Sequence, residues 1–367
     1  FILCCLIALI YPIWWMLILS GLFEIETIFS SALSWHAHEM LFGFSFALIP
    51  GFILTASSHW ANRPPIQGTP LIFLAILYIF ERITPFLNFS KEVSFFLMIL
   101  FSLTFVCTLF WFLQGNRNQK IITPIIFGLC LSKFLFLMGD LFTNDALYEY
   151  GRHFGVVFIL LLIITFSGRV VPMFSAAHLG YKPLVPVWIS RCSVLSVIFL
   201  LIPPEFLMPP IYLCILLFAL IANSLRLYHW QPLKCLRNSI VSVLHVGHAF
   251  FIIGIILTIF DHLNIIVDFN NMILHSFTVG TLGIFAIGIM LRVTKGHTGR
   301  EIKSDIYDKF IIHGVYICAF TRVLLPYFVD IDYLMIILSI SSFFWGVAFS
   351  LYFARYIGAL ISPRVDA

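Results

Sequence analysis

The residues best suited to chemistry in this sequence lie between Ser34 and Gly43, where His36, His38 and Glu39 open a long apolar stretch. Imidazole is a ligand for iron, copper and zinc, and it also exchanges protons near neutral pH. A titratable side chain at the edge of a hydrocarbon layer is costly, so it is a candidate for function. The competing interpretation is that these are ordinary boundary residues in the lipid headgroup zone.

Helical spacing separates the two histidines. Residues two apart lie about 200° around a helix axis, so His36 and His38 cannot easily share one metal. Two imidazoles with different neighbours suit one metal each, or one ligand and one hydrogen-bonding neighbour of a ligand. We predict ligation by at least one of them, with packing at the interface as the alternative.

The elements that carry these residues are membrane helices. The 367 residues are 61% hydrophobic and only 10% charged, and the apolar stretches have the length of about 20 residues that spans a bilayer. We predict an all-α, polytopic membrane helix bundle of about 12 transmembrane helices, forming a single transmembrane domain over 1–367 without a soluble domain. The net charge of +4 is too small and scattered to indicate nucleic-acid binding. The predicted spans are 1–23, 35–56, 70–88, 92–113, 120–142, 150–173, 184–203, 207–229, 239–261, 270–294, 306–326 and 332–358.

The distribution of Lys and Arg predicts the orientation. With a cytoplasmic N-terminus, fifteen of the twenty-one Lys and Arg residues fall at cytoplasmic span ends and four at outer ends. The inner fifteen include Arg226 and Lys295, and the outer four are Arg82, Lys91, Arg152 and Arg322. We therefore predict that both termini are cytoplasmic. In this orientation the outer ends of spans two, six and ten carry His36, His38, His153 and His275.

Histidines on other spans extend the candidate site. If span ten lies beside span two, His275 faces the level of His36 and His38, which is the geometry of a bis-histidine iron. His153 lies at the same level. His245 and His248 are three apart and share a helix face, so they could form a second metal site, a proton relay, or core histidines bonded to carbonyls.

Three further residues have two interpretations each. His297, between Gly296 and Gly299, could ligate a metal or interact with the helix C-terminus. Arg169 could clamp an anionic group such as a haem propionate, or mark the cytoplasmic boundary. Lys133 lies inside span five and needs a counter-charge, which makes it a candidate for a proton path or for pairing with a propionate.

Five segments lie in order along nearly the whole chain: Trp35–Gly43, Gly168–Pro172, His275–Gly280, Arg292–Arg300 and Pro363–Asp366. Together they resemble the NnrS family. The resemblance implies a twelve-helix bacterial inner-membrane protein that contains haem and copper and acts in nitric oxide metabolism or nitrosative stress. At His248 the family pattern has an aromatic residue, which weakens the pairing of His245 with His248.

Three functions remain in competition at this point. The first is a redox protein with haem b and copper that binds or reduces nitric oxide, with His38 and His275 as axial ligands and His36 with His153 near copper. The second is a transporter of copper, haem or a small anion, against which the absence of a repeat between 1–183 and 184–367 counts mildly. The third is a haem-based sensor or assembly factor without turnover. The sequence does not indicate an electron donor.

Overall fold

The computed structural model describes residues 1–266 and 270–365, and the regular structure in that part of the chain is entirely helical. Short 3₁₀ turns join several of the helices. The α-helices are α1 (Ile2–Leu19), α2 (Ala32–His38), α3 (Phe44–Ala61), α4 (Thr69–Ile83), α5 (Lys91–Phe112), α6 (Gln119–Leu141), α7 (Asp145–Leu179), α8 (Val187–Phe199), α9 (Pro209–His229), α10 (Pro232–Cys235), α11 (Ser239–His262), α12 (Asn270–His275), α13 (Ile284–His297), α14 (Ile306–Val323) and α15 (Leu334–Ile361), and the π-helices are π1 (Glu39–Gly43) and π2 (Ser276–Gly283).

Eleven helical stretches in the described residues are long and apolar enough to cross a membrane. Two of them are composite, because α2, π1 and α3 follow one another without a break, as do α12, π2 and α13. The predicted all-α polytopic membrane bundle is therefore confirmed.

The seventh predicted span, 184–203, contains a shorter helix than its apolar run suggests. Helix α8 has 13 residues, which is about 20 Å at 1.5 Å per residue. It begins after Pro186 and ends before Pro203 and Pro204, and proline disfavours helical conformation in the residue that precedes it. The apolar run is therefore longer than the helix it contains.

The sixth predicted span, 150–173, is shorter than the helix it belongs to. Helix α7 has 35 residues, from Asp145 to Leu179, which is about 52 Å. Pro172 lies inside it without ending it. Proline removes one helical N–H, but membrane helices tolerate this where neighbouring groups satisfy the freed carbonyl.

Helix α4 has a polar face directed into the protein and an apolar face directed outward. Its charged residues Glu81 and Arg82 are buried together with Tyr78. The opposite face exposes apolar side chains, which are Ile72, Ile76, Ile79 and Ile83. An apolar outer face with a polar inner face is the arrangement expected when lipid, rather than water, surrounds the protein.

The chain divides into two compact units. Phe1 and Leu3–Ile159 form the first, in which α3, α4 and α6 each pack against α5. Ile2 and the chain from Leu160 onward form the second, in which α11 packs against α9, α13 and π2, and α14 pairs with α15. The single transmembrane domain over 1–367 stays a prediction.

Candidate functional site

His38 is the last residue of α2 and is fully buried. Its Nδ1 lies 2.8 Å from Oε1 of Glu39. Because a carboxylate only accepts hydrogen bonds, Nδ1 carries the proton and Nε2 keeps its lone pair. Nε2 has no hydrogen-bond partner among the described residues. A buried imidazole with Nδ1 held by a carboxylate and Nε2 available has the form of a metal ligand.

Glu39 begins a chain of buried charges in the first unit. Its Oε2 accepts a hydrogen bond of 2.6 Å from Nη1 of Arg82. Arg82 also pairs with Glu81, which pairs in turn with Lys133. None of these four side chains is more than 5% exposed. Two carboxylates and two cations balance formally, so each charge has a partner that offsets its desolvation.

The segment after His38 is a π-helix, and its last residue, Gly43, leaves room for this charge chain. The N–H of Phe44 donates to the carbonyl of Glu39, five residues earlier. A Cβ on Gly43 would lie 2.6 Å from Nη1 of Arg82 and 2.9 Å from Oε2 of Glu39. The Tyr78 hydroxyl donates to the Gly43 carbonyl at 2.9 Å. Single turns of π-helix are rare and are often found at functional sites.

His36 and His38 have different neighbours, as helical spacing predicts. The ring of His36 stacks on Trp15 of α1, with centroids 4.2 Å apart and planes 14° apart. The ring of His38 contacts Phe29 and Phe136. His153, on α7, is half-buried and meets Phe154 edge-on at 5.5 Å.

His275 repeats the pattern of His38 in the second unit. It ends α12, and π2 follows directly. Nδ1 of His275 donates to the carbonyl of Asn271, and Nε2 accepts from Nη2 of Arg322 at 3.1 Å. The proton is therefore again on Nδ1 and the lone pair on Nε2. Metal ligation through this atom would require Arg322 to move away.

The π-helix after His275 is held by close contacts within the second unit. Thr281 Oγ1 donates to the Ser276 carbonyl at 3.0 Å, across five residues. A Cβ on Gly280 would lie 2.5 Å from Phe250, and one on Gly283 would lie 2.5 Å from Trp345. Each of the two predicted axial histidines thus stands immediately before a π-helix.

The remaining predicted ligands have other surroundings. His245 is buried on α11, where Nδ1 donates to the Val241 carbonyl at 3.0 Å and Nε2 lies 3.5 Å from the Ser175 hydroxyl. This is the hydrogen bonding of a core histidine. His297, at the C-terminal end of α13, and Arg169, on α7, are both exposed.

Two residues of the charge chain were missed as site candidates from the sequence. The sequence does not single out Glu81, and it places Arg82 among the residues at outer span ends. The sequence feature that could have indicated them is the adjacent acidic and basic pair, Glu81 and Arg82, inside the apolar run of predicted span three. Lys133 was predicted to need a counter-charge, and Glu81 supplies it.

Among the described residues, no three His, Cys, Asp or Glu side chains come together in a way that could hold a metal ion. A haem needs only one or two axial ligands from the protein, so this finding bears on copper rather than on haem. His38 and His275 belong to different compact units, and their predicted pairing on one iron stays a prediction.

Comparison with known proteins gave one family. A family model described as NnrS protein matches residues 1–364, which is essentially the whole chain. No curated protein matches the chain.

Proposed function

Because the chain belongs to the NnrS family, we propose that it is a haem-binding protein of a bacterial inner membrane that acts in the response to nitric oxide. The proposed cofactor is haem b, and the proposed small-molecule ligand is nitric oxide. Both termini are assigned to the cytoplasm. Family membership supports the link to nitric oxide, and the eleven apolar helices of the described residues support the membrane.

The observation that carries the haem assignment is the state of His38. A fully buried imidazole nitrogen without a hydrogen-bond partner among the described residues is costly unless a ligand occupies it. Iron, when bound there, supplies a centre that takes a diatomic gas and changes oxidation state. The other predicted ligands offer weaker arguments, since both ring nitrogens of His245 and of His275 already have hydrogen-bond partners.

The residues around His38 have defined tasks in this proposal. Glu39 holds the Nδ1 proton, fixes the ring orientation and raises the basicity of Nε2. Arg82 places a positive charge beside the buried Glu39 carboxylate and so offsets the cost of its desolvation. Glu81 and Lys133 complete the charge balance, so the site has no net formal charge before a cofactor binds.

Copper fits the described residues less well. The predicted copper residues were His36 and His153, but no set of three ligands occurs in the described parts of the chain. We therefore derive no chemistry through copper. Metal analysis of the purified protein tests whether it contains copper, because the copper content is measured independently of activity.

An optical spectrum of the purified full chain tests the proposal. Protein produced with an ample haem supply is expected to show a Soret band, and nitric oxide added to the reduced protein is expected to shift it. A colourless protein under these conditions contradicts the haem assignment, and a Soret band unaffected by nitric oxide contradicts the proposed ligand. Consumption of nitric oxide with an added electron donor separates an enzyme from a sensor or assembly factor.

A further inference from the structure

Helix α9 and the residue just beyond it present a second buried polar cluster, remote in sequence from His38. Asn223, Arg226 and Trp230 are spaced three and four apart, so they lie on one face. None of the three is more than 1% exposed. The sequence placed Arg226 at the cytoplasmic boundary as one of the positive-inside residues. Its side chain is buried in the protein, so Arg226 does not report on the headgroup region, and its place at that boundary stays a prediction.

Arg226 has no carboxylate partner among the described residues. Nη1 donates to the Ile164 carbonyl at 2.8 Å, and the guanidinium lies 5.2 Å from the centroid of Trp230. Nε is buried without a hydrogen-bond partner in the described part of the chain. A buried cation is costly unless an opposite charge accompanies it, and one carbonyl with one aromatic face does not supply that charge.

Gly168 leaves the space that the Arg226 guanidinium occupies beside α7. A Cβ at position 168 would lie 1.8 Å from Nη2 of Arg226. Any side chain at that position would therefore displace the arginine from α7. Gly168 is the first residue of one of the five segments identified in the sequence, Gly168–Pro172, and it is not among the residues described around His38. The backbone of α7 is thus shaped to accept a buried cation.

The cluster contains two unsatisfied donors and two unsatisfied acceptors. The donors are Nε of Arg226 and Nε1 of Trp230, both buried without a partner among the described residues. His248 packs on Trp230 with centroids 4.7 Å apart, and its Nε2 donates to the Asn223 carbonyl at 3.2 Å. Nδ1 of the neutral ring is then an acceptor, and both it and Oδ1 of Asn223 lack a partner in the described residues.

We propose that this cluster binds a small monovalent oxyanion that carries a hydroxyl group, of the hydrogencarbonate type. The anionic oxygens accept from Arg226 and Trp230, and the hydroxyl donates to His248 or Asn223. The unpaired arginine argues against a metal cation here, since two like charges would be buried together. The cluster shares no residue with the charge chain around His38.

Equilibrium dialysis of the full chain in lipid nanodiscs against labelled hydrogencarbonate tests the proposal. We expect saturable binding, weakened about tenfold or more in Arg226→Gln and in Trp230→Phe, because each removes a donor to a charged ligand. Arg237→Gln removes an exposed cation shortly after the same helix and is the matched control, with unchanged binding. Nitrate, which is planar and monovalent but lacks the hydroxyl, is expected to compete weakly.

Several results would overturn the proposal. These are the absence of saturable binding, equal binding in Arg226→Gln and the wild type, and nitrate binding as tight as that of hydrogencarbonate. Loss of haem from Arg226→Gln without hydrogencarbonate binding in the wild type would instead assign the arginine to a cofactor carboxylate. If Arg226→Gln does not fold, Trp230→Phe decides, because it keeps an aromatic side chain and the Arg226 charge while it removes the N–H donor. His38→Ala is expected to lose its Soret band and still to bind hydrogencarbonate as the wild type does. The haem proposal and the anion proposal can therefore fail separately.

Discussion

His38 and Glu39 are adjacent in the sequence, and their side chains form a buried pair at 2.8 Å. The sequence predicted that this segment holds a ligand, because titratable residues are out of place at the edge of a hydrocarbon layer. It could not predict which nitrogen of His38 is available. That depends on Glu39 turning toward Nδ1 and on Arg82 arriving from another helix to stabilise the carboxylate.

Replacement of Glu39 by Gln tests the charge balance around His38. The variant leaves Arg82 and Lys133 to share the single carboxylate of Glu81, so one buried positive charge becomes unpaired. We expect a loss of about 3 kcal/mol in the free energy of unfolding, measured by denaturation of the purified protein in detergent. Glu149→Gln removes the carboxylate of an exposed pair with Arg152 and should cost about 0–1 kcal/mol. Equal losses in the two variants would refute the buried network.

The pair of Glu81 and Lys133 makes a separate prediction. Glu81→Gln alone leaves Lys133 buried without a counter-charge, whereas Glu81→Gln combined with Lys133→Met leaves only the balanced pair of Glu39 and Arg82. We expect the double variant to be more stable than Glu81→Gln, with a coupling energy of about 1–3 kcal/mol. The same cycle on the exposed pair of Glu301 and Lys303 should show no measurable coupling. Additive effects at Glu81 and Lys133 would contradict their contact.

The helices themselves were largely predictable, whereas their irregularities were not. Apolar runs located the spans because a bilayer demands about 20 apolar residues per crossing. The π-helices after His38 and His275 leave no signature in hydropathy. They depend on contacts made from other helices, such as the Tyr78 hydroxyl on the Gly43 carbonyl. The short α8 could have been recognised from Pro186, which stands inside the predicted span.

Gly43→Ala tests whether π1 is shaped for the charge chain. The added methyl group would lie within 3 Å of both Arg82 and Glu39, so the ion pair or the backbone must shift. We expect a loss of about 1–3 kcal/mol in the free energy of unfolding. Gly346→Ala on α15 is the control, because a Cβ there meets nothing within 4 Å and alanine favours a helix by about 1 kcal/mol. A neutral Gly43→Ala variant would contradict the close packing.

At the scale of the whole molecule, the predicted orientation stays the same when three buried residues are left out of the count of Lys and Arg. The fifteen inner residues include Arg226 and Lys295, and the four outer ones include Arg82, yet all three are buried. A buried side chain does not report on the headgroup region. Without them, thirteen residues remain inside and three outside, so the bias keeps its sign. The pairing of histidines from the two units is not predictable from spacing, because it depends on how distant spans assemble.

Reporter fusions test the predicted topology. We expect green fluorescent protein to fluoresce when fused after Arg364, because it matures in the cytoplasm. Alkaline phosphatase fused after Asn88, in the turn between α4 and α5, should be active, since that turn is assigned to the outer side. An inactive phosphatase at Asn88 together with a dark C-terminal fusion would reverse the orientation and place His38 near the cytoplasm.

The most direct test of the central claim is the haem content of His38→Ala. Full-length wild type, His38→Ala and the control His178→Ala, which alters an exposed histidine on α7, are purified in parallel and their Soret absorbance per protein is compared. We expect His178→Ala to match the wild type and His38→Ala to lose its Soret band or to show a changed spin state. Full retention of an unaltered Soret band in His38→Ala would contradict the assignment of His38 as a haem ligand.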